Sequence, residues 1–167
     1  LIDGNFNFLA WTTTPWTLPS NMFLAVGADI DYVTVYDPDS KEYYVMAENL
    51  IKKYYKSPDQ YKFIYKQKGK ELENLTYKPL FDYILNSKIS DEYKKEFFHI
   101  LIADFVSIED GTGIVHIAPT FWEDDFGVVA NRLGEQKALD WLFMPVDDYG
   151  CFDEQVPDYQ GMKVFDV

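Results

Sequence analysis

The sequence holds one cysteine, Cys151, and only two histidines, His99 and His116. A lone cysteine excludes an internal disulfide and a CxxC zinc pair, and it points to a reducing compartment. The two histidines sit in no metal-ligand spacing, so no metal site is expected. Apolar runs are short. Ile100-Leu101-Ile102-Ala103 is typical, against the roughly 20 residues that a membrane-spanning helix needs. No membrane partner is expected. There is no GxSxG turn, no glycine-rich phosphate loop and no Cys/His couple. Residues 1–40 hold no Lys or Arg. The chain starts at Leu1 instead of Met, and it is expected to be a piece of something longer.

What is present is an ordinary globular balance. The 167 residues are 47% hydrophobic and 26% charged, which excludes wholesale disorder and fibrous repetition. A single domain over residues 1–167 is expected. The net charge is −13 and the pI near 4.4, which argues against a self-sufficient nucleic-acid binder. The charge is unevenly spread: −5 over residues 1–40, +4 over 41–95 and −12 over 96–167. The basic middle reads either as a solvated Lys/Tyr surface or as a face turned to a polyanion.

Periodicity predicts many short strands and few helices. Strands are expected at 7–14, 22–26, 31–36, 42–47, 61–65, 97–106, 113–118 and 142–146. The run Asp37-Pro38-Asp39-Ser40 reads as a hairpin turn. Short helices are expected at 47–55 and 121–133, the second ending at Gly134 with Glu123, Asp124 and Asp125 in its first turn. The fold class is therefore mainly β with small helices, barrel-like or a folded sheet.

Two segments carry the chemistry. The first runs from Leu9 to Asn21 and places Thr12, Thr13, Thr14 and Thr17 among Trp11, Trp16, Pro15 and Pro19. On a strand Thr12 and Thr14 share one face and Thr13 the other. The prolines should break the strand and leave residues 17–21 on a rim. A plain threonine-rich strand ending in a proline turn is the bland alternative.

The second segment is Gly111-Thr112-Gly113-Ile114-Val115-His116-Ile117-Ala118-Pro119, followed by Thr120-Phe121-Trp122-Glu123-Asp124-Asp125. It reads as strand, proline turn and acidic helix start. His116 is a polar residue within an apolar strand, either a satisfied core histidine or a functional one. The three acids either cap a helix or serve a site.

Together the two segments resemble the editing insertion, or connective-peptide domain, of isoleucyl-tRNA synthetase, within the class I synthetases. Related leucine and valine editing domains carry a Thr-Thr-Arg-Pro-type sequence at the first site; here Thr12-Thr13-Thr14-Pro15-Trp16-Thr17-Leu18-Pro19 with Asn21 is similar to the isoleucine version. At the second site the valine enzymes typically have Lys where this chain has His116, as isoleucine enzymes do. Asp125, nine residues after that histidine, completes the pattern. Two positions depart from it: Trp122 and Ser20 stand where glycine is frequent.

The resemblance implies the class I editing-domain fold and hydrolysis of a mischarged valyl-tRNA(Ile) ester, with isoleucine excluded. One methylene gives a hydrophobic pocket only about 1–3 kcal/mol, a magnitude whose worked case is this very isoleucine–valine problem. A second pocket that admits valine alone is the remedy. The resemblance implies Asp125 as the anion for the substrate ammonium and His116 as the wall against the extra methylene. Thr12, Thr13, Thr14 and Thr17 would supply hydroxyls for ribose, adenine and ester. Trp16, Asn21, Trp122 and Asp124 complete the expected binding set. A positioned water would attack the ester, since threonines without an adjacent base are poor nucleophiles. No cofactor is expected for editing. ATP and Mg would serve aminoacylation in the parent enzyme, whose signatures His-Ile-Gly-His and Lys-Met-Ser-Lys-Ser are not in this chain. The implied partners are the tRNA(Ile) 3′ end carrying valine and the rest of the synthetase, with a monomer in the cytoplasm. The other classes open to these residues are a tRNA-end or nucleoside binding module with weak catalysis, and an aromatic-rich β protein-contact domain.

Overall fold

The computed structural model describes residues 6–166. Their contacts group into two compact units, which the chain enters more than once. The first comprises Leu1–Thr12, Leu24–Leu75 and Ile100–Val115. The second comprises Thr13–Phe23, Thr76–His99 and His116–Val167.

In the first unit a four-stranded sheet has the order β1-β4-β3-β5, with β1 Phe6–Phe8, β3 Asp31–Asp37, β4 Glu42–Ala47 and β5 Lys62–Lys68. The β3–β4 hairpin forms where the turn residues predict it. Asp37 Oδ1 accepts from the N–H groups of Asp39 and Ser40 at 2.8 and 3.2 Å, the local bonding that makes Asp a turn former. Lys41 completes the reversal at φ 62°. Val33, Val35, Met46 and Ile51 pack together, covered by Leu9, Tyr44, Tyr55 and Tyr61. The basic stretch spends part of its charge on this unit's own acids: Lys66 bridges Asp31 and Glu48, and Lys68 bridges Asp31.

A three-stranded sheet has the order β6-β2-β7, with β2 Phe23–Val26, β6 Ile100–Ile102 and β7 Ile114–Ile117. Strands β2 and β6 run parallel. Gly113 leads into β7 at φ 76°.

The second unit is built from turns and helices around aromatic residues. Helix α1 (Ile51–Tyr54) belongs to the first unit; α2 (Asp91–Lys94), α3 (Glu123–Leu133) and α4 (Glu135–Asp140) belong to the second. Trp141 is buried, its indole 5.1 Å from both Tyr93 and Phe97. Phe152, Val156 and Val164 form a further cluster against which Trp16, Tyr83, Val146 and Tyr159 pack.

The mainly-β class with small helices holds, but neither sheet closes into a barrel among the described residues. Several boundaries differ from expectation. The strand expected over 7–14 is β1 plus a single bridge between Trp11 and Val115, because Pro15 starts a 3-10 turn at Pro15–Ser20. The strand expected over 97–106 shrinks to β6, where Phe98 adopts φ 61° just before it. The strand expected at 142–146 is reduced to a bridge from Val146 to Phe152.

Candidate functional site

The two motifs meet inside the second unit. Pro15 sets the φ of the first 3-10 residue, and the turn folds back on Thr14. The carbonyl of Thr14 accepts from both the N–H of Thr17, at 3.0 Å, and its hydroxyl, at 2.8 Å. Residues 17–21 are not on a rim: Thr17, Pro19, Ser20 and Asn21 are all buried. The turn rolls their side chains inward where a proline-broken strand would have left them outside.

Thr17 meets His116 there. Its Oγ1 lies 2.8 Å from His116 Nε2, while Asn21 Nδ2 lies 3.2 Å from His116 Nδ1. Asn21 also donates to the carbonyl of Phe23 at 2.9 Å and accepts from the hydroxyl of Tyr77 at 2.5 Å. The imidazole is 5% exposed, and burial pushes its pKa down to about 4. Both ring nitrogens are occupied, so this neutral ring has no free lone pair with which to take a proton. It can shape a cavity; it is badly placed to act as a base.

Three residues after His116 the chain turns at Pro119. The N–H of Ala118 donates to Asp125 Oδ2 at 2.7 Å. This ties the first turn of α3 to the backbone two residues beyond the histidine. Asp125 is 6% exposed. Burial raises its pKa to about 6, with the Ala118 hydrogen bond opposing and the Asp124 charge reinforcing the shift. A carboxylate held above its ordinary range by desolvation is one that an incoming cation stabilises.

The other predicted residues fall as follows. Thr12 ends the first stretch of the first unit, and Thr13 begins the first stretch of the second. Thr12 and Thr14 are half-buried and Thr13 is exposed, the alternation expected of an extended chain. Thr14 Oγ1 lies 3.4 Å from Thr17 Oγ1. Trp16 is half-buried, edge-on to Phe165 with centroids 4.9 Å apart, against the Phe152 cluster. Trp122 occupies the N-cap of α3 in extended conformation and is 47% exposed, and Asp124 is exposed beside it. Tyr77 escaped the sequence reading; nothing in its neighbours Thr76 and Lys78 marks it.

Among the described residues no group of His, Cys, Asp and Glu could hold a metal ion, and no helix is long and apolar enough to cross a membrane.

Against known structures the fold is that of the editing domains of class I synthetases. The Plasmodium falciparum cytosolic leucyl-tRNA synthetase editing domain superposes with a TM-score of 0.66 at 14% identity, over 98% of this chain and 74% of that one. No family model matches the chain. Curated sequences place it further: over nearly its whole length the chain is similar to one stretch of isoleucine–tRNA ligases. It is 41% identical over 163 residues to the cytoplasmic isoleucine–tRNA ligase of Saccharomyces cerevisiae, and 46% identical over 170 residues to that of Treponema denticola. Each match covers 95% of this chain but only 14% and 15% of those ligases.

Proposed function

We propose that the chain is the proofreading hydrolase of an isoleucine–tRNA ligase, cleaving valine from mischarged tRNA(Ile) while excluding isoleucine. The observation that carries this reading is Asp125: a buried carboxylate, raised by desolvation, anchored beside the strand that bears His116. The ammonium of an aminoacyl ester is the cation such a group favours, and a charge-assisted hydrogen bond would fix the amino end. The neutral edge of His116 would then face the aliphatic side chain, where one methylene decides entry.

Hydrolysis needs no protein nucleophile in this scheme. The ester is already activated, and holding water against its carbonyl supplies much of the acceleration. The hydroxyls of Thr12, Thr13 and Thr14 are the groups proposed to orient ribose and ester, with Thr17 holding His116 in place. Trp16, Trp122 and Asp124 complete the proposed surroundings, Trp122 offering an exposed ring on which a terminal base stacks.

The partners on this reading are the 3′ end of tRNA(Ile) and the remainder of the synthetase, in the cytoplasm, with the chain acting as a monomer. The acidic balance fits a domain that leaves the tRNA body to the rest of the enzyme.

The test is release of valine from valyl-tRNA(Ile) at raised protein concentration, beside Asp125→Ala. Turnover lost in the variant supports the hydrolase. Saturable binding of the charged tRNA without turnover would replace it by a tRNA-end binding module.

A further inference from the structure

Tyr77 stands behind the His116 site. Its hydroxyl donates to Asn21 Oδ1 at 2.5 Å, and its ring packs edge-on against Phe98 with centroids 5.8 Å apart. Around the Asn21 amide one arrangement satisfies every neighbour. The Phe23 carbonyl only accepts, so it takes one N–H of Nδ2. The other N–H of the same nitrogen faces His116 Nδ1. Oδ1 is thereby turned to Tyr77. His116 accepts at Nδ1 and carries its proton on Nε2, which donates to Thr17 Oγ1; Thr17 in turn donates to the Thr14 carbonyl. The proton order runs one way from Tyr77 to Thr14.

We propose that Tyr77 is a positioning residue of the editing site, holding the Asn21 amide with its nitrogen toward His116 and so holding the imidazole in its neutral Nε2–H form. The inference rests on the reading of His116 as the wall of the valine pocket. An Nδ1–H or protonated ring needs an acceptor at Nδ1, and Asn21 provides one only by turning its amide over. Two groups oppose that turn: the Tyr77 hydroxyl, which would lose its acceptor, and the Phe23 carbonyl, which would lose its donor. The groups hydrogen-bonded to the ring, Thr17 and Asn21, are uncharged, as is Tyr77 behind them, and burial alone shifts the ring. The nearest carboxylate along this strand is Asp125, bonded at Ala118.

The test is 15N NMR of the 167-residue chain labelled at histidine, with His99→Gln used to assign the two rings. In the unsubstituted chain His116 is expected wholly as Nε2–H, and a ring found as Nδ1–H overturns the proposal without any variant. Tyr77→Phe keeps the ring that packs on Phe98 and removes only the hydroxyl. It is expected to move the His116 protonation equilibrium by roughly three- to tenfold, half to one pH unit, or to populate the second tautomer. In the same variant the ratio of kcat/KM for valyl- over isoleucyl-tRNA(Ile) is expected to fall several-fold. Superimposable His116 titrations in the two chains overturn the proposal, as does a shifted titration with an unchanged ratio. If the unsubstituted chain hydrolyses neither ester, the editing reading itself fails, and the spectra still decide whether Tyr77 sets the tautomer.

Discussion

His116 and Thr17 lie 99 positions apart in the chain and share a buried hydrogen bond of 2.8 Å. That bond joins the threonine-rich turn to the glycine-led strand. With Asn21 on the second nitrogen, it leaves the ring neutral and oriented.

On the proposed reading, Asp125 sets the pH dependence of hydrolysis. Because its pKa is raised to about 6, kcat/KM for valyl-tRNA hydrolysis should rise about tenfold per pH unit below 6 and level off above it. Asp125→Asn should abolish that limb and lower the plateau by roughly ten- to a hundredfold, the loss of a charge-assisted bond to the ammonium. A variant that keeps the acid limb would assign it to another group.

The same carboxylate costs stability at neutral pH. Its folded pKa lies above its free value of 3.8, so its favourable contribution is complete below about pH 4 and is lost as pH rises through 6. Asp125→Asn retains an acceptor for the Ala118 N–H. It should stabilise the chain at pH 7 by on the order of 2 kcal/mol and give no gain at pH 4. Thermal melts at the two pH values check this; an equal gain at both would point to a cause other than ionisation.

His116 acts with the opposite sign. Its folded pKa, about 4, lies below the free value of 6.5, so its contribution is present above pH 6.5 and fades as pH falls toward 4. His116→Ala should open the pocket so that isoleucyl-tRNA(Ile) is cleaved. It should also cost about 2–4 kcal/mol, because Asn21 and Thr17 each lose a buried partner. Deacylation assays with both charged tRNAs and a urea titration separate the two effects.

Gly113 tests the backbone of the second motif. It sits at φ 76°, and a Cβ there would lie 2.5 Å from the Cβ of Ala47. Gly113→Ala should cost about 2–4 kcal/mol through strain and overlap. Gly134, at φ 90° with nothing within 4 Å of its would-be Cβ, should lose only about 1 kcal/mol. Denaturant midpoints of the two variants compare the sites directly.

Legibility in the sequence followed locality. The hairpin at 31–47 was readable because Asp37 forms its own turn bonds within three residues. Helix α3 was readable from its acidic start and from Gly134, which ends it at a φ that other residues rarely adopt. The strands at 97–106 and 142–146 were over-read, since an apolar run carries the same signal whether it pairs or simply packs. The sequence motifs contain His116, Thr17 and Asn21, which the fold joins by hydrogen bonds, and Asp125, which it bonds to Ala118. Tyr77 carried no signal, because its partner Asn21 is 56 residues away.

By itself the sequence determined the short-range features: which segments turn, where α3 begins and ends, and which hydroxyls, carboxylate and imidazole are available. The tertiary structure alone decided that the turn after Pro15 faces inward and that one imidazole nitrogen meets Thr17 while the other meets Asn21. It also decided that burial lifts Asp125 and depresses His116. Bonding within a few residues is written in local order. Desolvation and pairing across 50 to 100 positions exist only once the chain has closed around them.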